Sequence, residues 1–294
     1  MRAVVNFTPT GMIPTKEMTP LVPVSVNEIV EDVHRAHEIG ITMAHLHARD
    51  ELTGKPTYKA ELYARIVEGV RSYAPDLIIC VSLSGRDFKE FEHRSDVLRL
   101  DGNLKPDMGS LTLSSLNFNR QASLNSPEMI QNLAKAMLDR GILPELEVFD
   151  SGMVNYAHYL LRKGLLEPPN YVNIIVGNIA SAQADLLHVG IIVNDLPSDS
   201  IWSLGGVGDA QLPMNGVAIA AGGGVRVGLE DNIWFDRART RLASNSELLK
   251  RVHDMVAASD REVMTSRELR ERLNLQRGFG AYGRSLPVVA RSVS

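Results

Sequence analysis

Eight short, mainly apolar segments alternate along the chain with longer amphipathic stretches, and this alternation constrains the fold more than any other feature. Glycine and proline residues separate the two kinds of segment. Strands that alternate with helices form βαβ units and a parallel sheet. Eight such strands in roughly 250 residues predict an α/β fold of the (β/α)8 TIM barrel type, and a doubly wound sheet is the alternative. The predicted strands are Ala3–Phe7, Met43–His47, Leu77–Ser82, Met108–Leu113, Glu145–Phe149, Tyr171–Val176, Ile201–Leu204 and Val225–Leu229.

Two further amphipathic segments follow the eighth predicted strand. Glu247–Ala258 and Arg267–Leu273 have the apolar spacing of helices. We therefore predict one barrel domain over residues 1–294, with a C-terminal helical extension from about residue 244. Such an arm either packs against the barrel or forms an oligomer interface, and the sequence leaves both uses open.

Composition narrows the class of protein. Hydrophobic residues make up 44% of the chain, which is enough for a buried core, and the net charge of −4 argues against a DNA or RNA partner. The N-terminus becomes polar too early for a signal peptide, and no apolar run approaches the roughly 20 residues of a membrane span. We expect a soluble cytoplasmic protein. The single cysteine, Cys80, excludes an intramolecular disulfide and, by count, a cysteine-based zinc site.

Two histidines lie at the end of the second predicted strand, where a barrel carries its functional residues. His45 and His47 are two positions apart, so both imidazoles are expected to face the barrel interior. Two neighbouring imidazoles suit a divalent metal such as zinc. The alternative is a pair of histidines that are hydrogen-bonded within the core.

The end of the eighth predicted strand places acidic residues beside that pair. Arg226 and Glu230 share the parity of inward-facing positions, and in a barrel the eighth strand is a near neighbour of the second. Glu230 is therefore a candidate third ligand, which gives a site of two histidines and one carboxylate with open positions for substrate. Asp231 has the wrong parity, and it reaches the site only if the strand ends or bulges before it. A solvated helix start explains both acids equally well.

Further polar residues follow the middle strands. Glu145 and Glu147 share one face of an apolar strand, where one is expected to pair with a basic group. Glu147 lies nearer the carboxyl end and is expected to contact substrate or metal-bound water. Ser82 is a candidate for anion binding or for ordinary turn chemistry, and Ser110 is a further candidate of the same kind. The run Gly205–Gly208 follows the seventh strand, where barrels bind phosphate, so a cofactor such as coenzyme A fits beside it.

Six segments, taken together and in this order, resemble the β-keto acid cleavage enzymes, whose best-known type is 3-keto-5-aminohexanoate cleavage enzyme. The resemblance runs from about residue 3 to about residue 275. It implies a zinc-containing (β/α)8 barrel, usually a homotetramer, in which a β-keto acid and acetyl-CoA become acetoacetate and a shortened acyl-CoA. The segments are Thr15–Pro23, His45–Asp50, Gly54–Thr57, Met108–Thr112, Glu145–Asp150 and Val225–Asn232.

The same resemblance implies roles for individual residues. The base takes a proton from the carbon between the ketone and the carboxylate, and the metal stabilises the resulting enolate. No redox cofactor is needed. The implied metal ligands are His45, His47 and Glu230; the implied base is Asp231, assisted by Arg226; and the implied substrate contacts are Ser82, Glu147 and Ser110.

One position departs from the aminohexanoate enzymes. They carry a glutamate two residues before the Thr-Lys-Glu segment, where it meets the substrate's ammonium group, whereas this chain has Ile13. An isoleucine cannot pair with a cation, so we expect a keto acid without an amino group and with an apolar, hydroxyl or acidic tail. Arg86, just past the third strand, favours an acidic tail if it does not face solvent.

Three rival functions differ from this one in testable ways. An amidohydrolase-type hydrolase has its His-x-His on strand one and needs histidines after strands five and six, where this chain has Asp150 and Gly177-Asn178. A metal-dependent aldolase or lyase cleaves without coenzyme A. A non-enzymatic binding barrel leaves polar groups at several strand ends unused, which costs stability.

Overall fold

A computed structural model describes residues 2–286, and it confirms the predicted barrel. Eight parallel strands form one closed sheet in the order β1-β8-β7-β6-β5-β4-β3-β2, with β1 paired to both β8 and β2. The carboxyl ends of all these strands therefore meet at one end of the barrel. The ends of the predicted domain, residue 1 and residues 287–294, lie outside the described residues. The strands are β1 (Val5–Phe7), β2 (Met43–Leu46), β3 (Ile78–Val81), β4 (Met108–Thr112), β5 (Leu143–Val148), β6 (Asn170–Val176), β7 (Ser200–Gly206) and β8 (Gly224–Val227).

Helices follow the strands and cover the outside of the sheet. The two predicted C-terminal helices, α8 and α9, have different roles in the structure. Helix α8 packs against α1 and α7, so it completes the ring as the eighth helix of the barrel itself. The helices within residues 2–286 are α1 (Val26–Ile39), α2 (Ala60–Arg71), α3 (Phe91–Ser95), α4 (Pro127–Asp139), α5 (Ser151–Arg162), α6 (Leu186–Asp195), α7 (Gln211–Ala220), α8 (Asn245–Ala258) and α9 (Ser266–Arg272). None of them is both long and apolar enough to cross a bilayer.

Helix α9 and its flanking residues close the amino-terminal end of the barrel. Met264, Leu269 and Leu273 pack with the apolar residues at the starts of the strands, such as Met43 and Met108. This apolar seal buries the bottom of the barrel and leaves the opposite end, where the strands finish, available for a site.

Two short antiparallel hairpins stand beyond the carboxyl ends of the strands. Ala48–Arg49 pairs with Pro56–Thr57 after β2, and Leu116–Asn117 pairs with Ala122–Ser123 after β4. Residues of both hairpins line the space above the strand ends.

The loop between β1 and α1 is fastened at the start of α1. The Ser25 side chain caps the helix, and the Glu28 carboxylate accepts hydrogen bonds from the backbone N–H groups of Val24 and Ser25 at 2.9 and 3.0 Å. Lys16 Nζ donates to Glu28 Oε1 at 2.7 Å. Burial raises the pKa of Glu28, but the hydrogen bonds from Lys16 and the backbone outweigh it and lower the pKa to about 2.

Replacing Glu28 with glutamine is expected to lower the free energy of unfolding at pH 7 by about 1 kcal/mol, the usual order for a helix cap. The folded pKa lies below the ordinary value of 4.5, so the carboxylate stabilises the fold above that pH and loses its effect as the pH falls toward about 2. Urea denaturation of both proteins from pH 7 to pH 3 should show the difference shrinking. Lys16→Met is the matched control for the ion pair. A difference that stays constant with pH would contradict this assignment.

Candidate active site

A cavity of about 750 Å³ opens at the carboxyl ends of the strands. Its size is typical of sites for small molecules. Side chains that are far apart in the sequence converge on it. His45 lies directly behind this wall as a buried residue, and Ser110 does not reach the cavity. The predicted site residues that line it are His47, Ser82, Glu147, Arg226, Glu230 and Asp231.

His45, His47 and Glu230 form a group that fits a metal. His45 Nε2 lies 3.2 Å from His47 Nε2, which lies 3.2 Å from Glu230 Oε1. All three ligand atoms lie within 4.8 Å of one another. A tetrahedral zinc ion with bonds of about 2.0–2.1 Å separates neighbouring ligand atoms by about 3.3 Å, so the spacing suits zinc. Glu230 Oε2 is buried and has no hydrogen-bond partner within residues 2–286, which leaves this carboxylate a spare ligand atom.

A buried carboxylate orients His45 from behind. Glu145 Oε2 lies 2.5 Å from His45 Nδ1, and Glu145 Oε1 accepts hydrogen bonds from Asn6 and Asn173 at 2.7 and 3.2 Å. His45 is thus the basic partner that the sequence predicts for one of the two strand glutamates. Burial lowers the pKa of His45, but the Glu145 and Glu230 carboxylates outweigh it and raise the pKa to about 9. A carboxylate on the outer nitrogen directs the other nitrogen toward a metal.

A second group of possible ligands, His45, Cys80 and Glu145, lies deeper in the barrel, also within 4.8 Å. The prediction that a single cysteine excludes any cysteine-containing metal site was therefore wrong, because one cysteine can join a histidine and a glutamate in a mixed ligand group. Cys80 Sγ lies 3.3 Å from Glu145 Oε2, and burial raises the pKa of the thiol well above its usual range. Cys80 is fully buried and does not line the cavity, so a metal on this deeper group would have no open position that faces a substrate. The group that includes His47 and reaches the cavity is the better candidate.

Arg226 and Asp231 form a two-point ion pair at the edge of the metal group. Arg226 Nε and Nη2 donate to the two carboxylate oxygens of Asp231 at 2.7 and 3.0 Å, and Nη2 also lies 2.8 Å from Glu230 Oε1. Burial raises the pKa of Asp231 and the Arg226 charge opposes it, with a raised pKa as the net result. The pair holds one oriented carboxylate beside the possible metal ligands, which is the arrangement that a general base requires.

Asp231 reaches the cavity because β8 ends before it. The strand stops at Val227, and the backbone N–H groups of Asp231 and Asn232 both donate to Gly228 O. A Cβ atom at Gly228 would lie 2.0 Å from Thr8 O, so only glycine lets the chain turn at this point. Neither Glu230 nor Asp231 belongs to a helix, which removes the alternative of a solvated helix start.

Glu147 and Thr112 face the cavity from neighbouring strands. Thr112 Oγ1 donates to Glu147 Oε2 at 2.5 Å. Burial raises the pKa of Glu147, and the charges of His45 and Arg226 only partly oppose it. The strand-end pattern did not reveal Thr112, although it lies two residues after Ser110 on the same face of β4. Ser110 Oγ instead accepts a hydrogen bond from Leu83 N at 3.0 Å.

Arg49 is another site residue without a predicted role. Its guanidinium donates to the carbonyl oxygens of Gly11, Pro14 and Gly54 at 2.9, 3.0 and 2.9 Å. A Cβ atom at Gly11 would lie 2.4 Å from Glu230 Cγ, so the loop passes directly against that carboxylate. Arg49 therefore holds the first loop of the barrel in place above the site. The sequence signal that could have revealed this role is the position of Arg49, two residues after His47 at the same strand end.

The glycine run Gly205–Gly208 overlaps the end of β7 and does not follow it as predicted, because Gly205 and Gly206 belong to the strand. The run packs against the same ion pair. A Cβ atom at Gly205 would lie 3.0 Å from Arg226 Cβ, and Gly208 N donates to Asp231 O at 2.8 Å. These contacts give a structural explanation for Gly205 and Gly208 that does not involve a ligand. The expected contact of this run with coenzyme A stays a prediction.

The match to known proteins covers almost the whole chain. Residues 2–275 match the family model described as beta-keto acid cleavage enzyme. The chain belongs to this family. Among its relatives is the 3-keto-5-aminohexanoate cleavage enzyme of Fusobacterium nucleatum, which is 35% identical over 90% of this chain and 94% of its own length. Another is the 3-oxoadipate:acetyl-CoA acetyltransferase of Cupriavidus necator, which is 32% identical over 92% of this chain and 94% of its own length.

A β-keto acid cleavage enzyme breaks a C–C bond, so the protein is an enzyme and not a binding barrel. Among solved structures, the apo structure of ObcA superposes with a TM-score of 0.78 at 21% identity. The match covers 87% of this chain and 66% of that longer chain. At this identity the likeness supports the barrel fold alone.

Proposed function

We propose that this protein converts a β-keto acid and acetyl-CoA into acetoacetate and an acyl-CoA, with zinc as its metal. The observation that carries the proposal is the Arg226–Asp231 ion pair at the cavity, beside the group formed by His45, His47 and Glu230. A positioned base and a metal group next to each other suit proton removal beside a ketone. The relative from Cupriavidus necator is itself named for acetyl-CoA-dependent chemistry.

The three proposed metal ligands suggest how a metal would assist the reaction. Zinc held by His45, His47 and Glu230 would supply a Lewis acid for the ketone oxygen of the substrate. Two histidines and one carboxylate with an open position are a common ligand set for catalytic zinc. Glu145 serves this set indirectly by fixing the ring of His45.

Asp231 is the proposed base. The carbon between a ketone and a carboxylate is acidic, and Asp231, oriented by Arg226, takes a proton from it. The carbanion attacks the thioester carbon of acetyl-CoA, so a C–C bond forms and the coenzyme A thiolate leaves. The thiolate then attacks the original ketone carbon, the older C–C bond breaks, and Asp231 returns the proton to acetoacetate. All atoms of the two substrates are accounted for in the two products.

Ser82 and Glu147 are the proposed substrate contacts. Both line the cavity, and the Ser82 hydroxyl suits the carboxylate next to the reacting carbon. Glu147 has a raised pKa, so a protonated form can donate a hydrogen bond to a reacting oxygen. A contact at Ser110 stays a prediction, since its hydroxyl already accepts from Leu83 N.

A coenzyme A transfer assay tests the function directly. Incubation with a panel of β-keto acids and acetyl-CoA should give acetoacetate and a new acyl-CoA in equal amounts, and a chelator should abolish the reaction until zinc is restored. Cleavage without acetyl-CoA would favour the metal-dependent aldolase or lyase. Release of free coenzyme A without a new acyl-CoA would favour a hydrolase.

Ile13 predicts which keto acids are poor substrates. It lines the cavity with Met12 and Met18 and is 50% exposed, so this part of the wall carries no charge. We expect kcat/KM for 3-oxohexanoate or 3-oxoadipate to exceed that for 3-keto-5-aminohexanoate by about tenfold or more, because an ammonium group would lose water without gaining a partner.

Ile13→Glu is expected to raise turnover of the amino substrate by about tenfold through a charge-assisted hydrogen bond. Ile13→Leu is the control that keeps the apolar character. A wild-type preference for 3-keto-5-aminohexanoate would show that the ammonium group is bound elsewhere.

The homotetramer stays a prediction. Its support is an apolar outer face on α6, where Leu186, Leu187 and Ile191 are 72%, 71% and 43% exposed. An exposed apolar patch of this kind suits a subunit interface.

A further inference from the structure

Arg86 is a cation in the cavity wall that the proposed chemistry does not use. It lies four residues after Ser82, in the loop that follows β3, and it lines the cavity. Its guanidinium lies 3.6 Å from the centroid of the Phe118 ring. Within residues 2–286 no acidic side chain forms an ion pair with it, and its Nε atom is buried without a hydrogen-bond partner.

Three fully buried arginines at this end of the barrel differ from the half-buried Arg86 in this respect. Arg226 is paired with Asp231 and Glu230. Arg49 donates to three carbonyl oxygens, and Arg94 donates to Leu83 O, Leu124 O and Asn125 Oδ1 at 2.8, 3.1 and 2.7 Å. Arg86 has donors to spare, so its guanidinium is available to a ligand in the cavity.

The loop that carries Arg86 is held rigidly. Arg94 bonds to the loop at Leu83 and to the neighbouring hairpin, and the backbone at Leu124 donates to Gly85 O at 3.2 Å. A Cβ atom at Gly85 would lie 2.3 Å from Leu124 O, so the two segments are in close contact. Phe118, from the same hairpin, supports the face of the Arg86 guanidinium. Stacking of this kind leaves the N–H edge of the guanidinium open for a planar anion.

The energetics favour a negative ligand at this point. Burial lowers the pKa of Arg86, while the carboxylates of Glu230, Asp87 and Glu147 oppose it. The Nε atom of the half-buried Arg86 has lost water without gaining a hydrogen-bond partner, which costs stability, and an anion bound to the guanidinium offsets that cost. Arg86, Glu147 and Glu230 line the same cavity, so a ligand at Arg86 lies near the proposed reacting groups.

We propose that Arg86 binds the distal carboxylate of a dicarboxylic β-keto acid, which rests on the proposed function and narrows its substrate class. Arg86 follows Ser82 outward from the strand end, so it is placed for the tail of a substrate whose ketone lies at the metal group. Met12, Ile13 and Met18 of the same cavity offer apolar contacts for the methylene groups between. A coenzyme A phosphate is the other possible anion. It lies a whole pantetheine arm from the thioester, whereas Arg86 shares a cavity with the base.

Two keto acids of equal chain length, one with and one without a distal carboxylate, measure the effect of that charge on turnover. Wild-type kcat/KM should be about tenfold or more higher for 3-oxoadipate than for 3-oxohexanoate with acetyl-CoA. Arg86→Met keeps the length of the side chain and should lower kcat/KM for 3-oxoadipate by about 10- to 100-fold, mainly through KM. The same variant should change kcat/KM for 3-oxohexanoate by less than about threefold and leave the KM for acetyl-CoA unchanged. Arg86→Lys should restore part of the effect, and Arg162→Gln, an exposed arginine of α5 that does not line the cavity, is the control.

Each other result overturns the assignment in a distinct way. Equal losses for both keto acids would place Arg86 at the carboxylate common to all substrates or in the fold. A raised KM for acetyl-CoA would make it a phosphate contact, and an unchanged preference would remove it from recognition. Calorimetric binding of adipate against hexanoate, which cannot be cleaved, repeats the comparison without turnover. Turnover of neither keto acid by the wild type would count against the proposed function, while adipate binding that depends on Arg86 would still support the carboxylate site.

Discussion

Asp231→Asn is expected to lower kcat for β-keto acid cleavage by about 10³-fold, within the range of about 10²–10⁴ for a general base. Asparagine keeps the size of the side chain and can still accept one hydrogen bond from Arg226, but it cannot take a proton. The Arg226 guanidinium keeps its contact with Glu230 Oε1 at 2.8 Å, so the site should stay folded. Steady-state kinetics with acetyl-CoA and a keto acid measure the loss.

The metal content separates this effect from damage to the neighbouring ligand. Asp231 is adjacent to Glu230 in the chain, so the variant should be assayed for bound metal and is expected to match the wild type. Asp209→Asn, an exposed acid paired with Arg239, is the control and should keep full activity. A kcat for Asp231→Asn within about threefold of the wild type would assign the base to another group.

His47→Ala is expected to weaken metal binding by more than about 100-fold and to abolish measurable cleavage. A catalytic zinc site with three protein ligands does not tolerate the loss of one, whereas loss of an outer partner such as Glu145 typically costs only about 10–100-fold in affinity. Metal analysis after dialysis against a competing chelator gives the affinity without any activity measurement. Unchanged metal content would contradict the ligand assignment.

His45→Ala distinguishes the metal role from the structural role of that residue. It removes a ligand and also leaves Glu145 buried without its 2.5 Å partner. Removing one member of a buried pair costs about 3–5 kcal/mol, so this variant should lose stability as well as metal. His47 does not contact Glu145, and His47→Ala should therefore unfold close to the metal-free wild type. His188→Ala, at an exposed position of α6 away from the cavity, is the control for both.

The barrel was predictable because its signal is local and repeated. Each strand is a short apolar run and each helix has an amphipathic pattern, so eight units could be counted from the chain alone. Helix ends also depend on local signals, because capping residues such as Ser25 and Glu28 lie within three positions of each other in the sequence. Strand limits shifted by one or two residues, since they depend on pairing with neighbours.

The site was only partly predictable because the alternation of inward- and outward-facing side chains no longer applies where a strand ends. His45 and His47 followed from parity, and so did Glu147. Asp231 did not, because its position depends on the turn at Gly228, and that turn depends on close contact with Thr8 O at the end of the neighbouring strand β1. Arg49 and Thr112 were missed for a related reason. Their partners lie on other segments of the chain.

The sequence by itself therefore determined the barrel, the end of it that carries the chemistry, the paired histidines and the family to which they belong. The tertiary structure alone decided which carboxylate supports His45, how Asp231 meets Arg226, and that Arg86 lies in the cavity wall against Phe118 with its donors unused. The physical reason is that periodicity and capping act between residues a few positions apart. Ion pairs, stacking and ligand spacing join residues that only the closed barrel brings within hydrogen-bond distance.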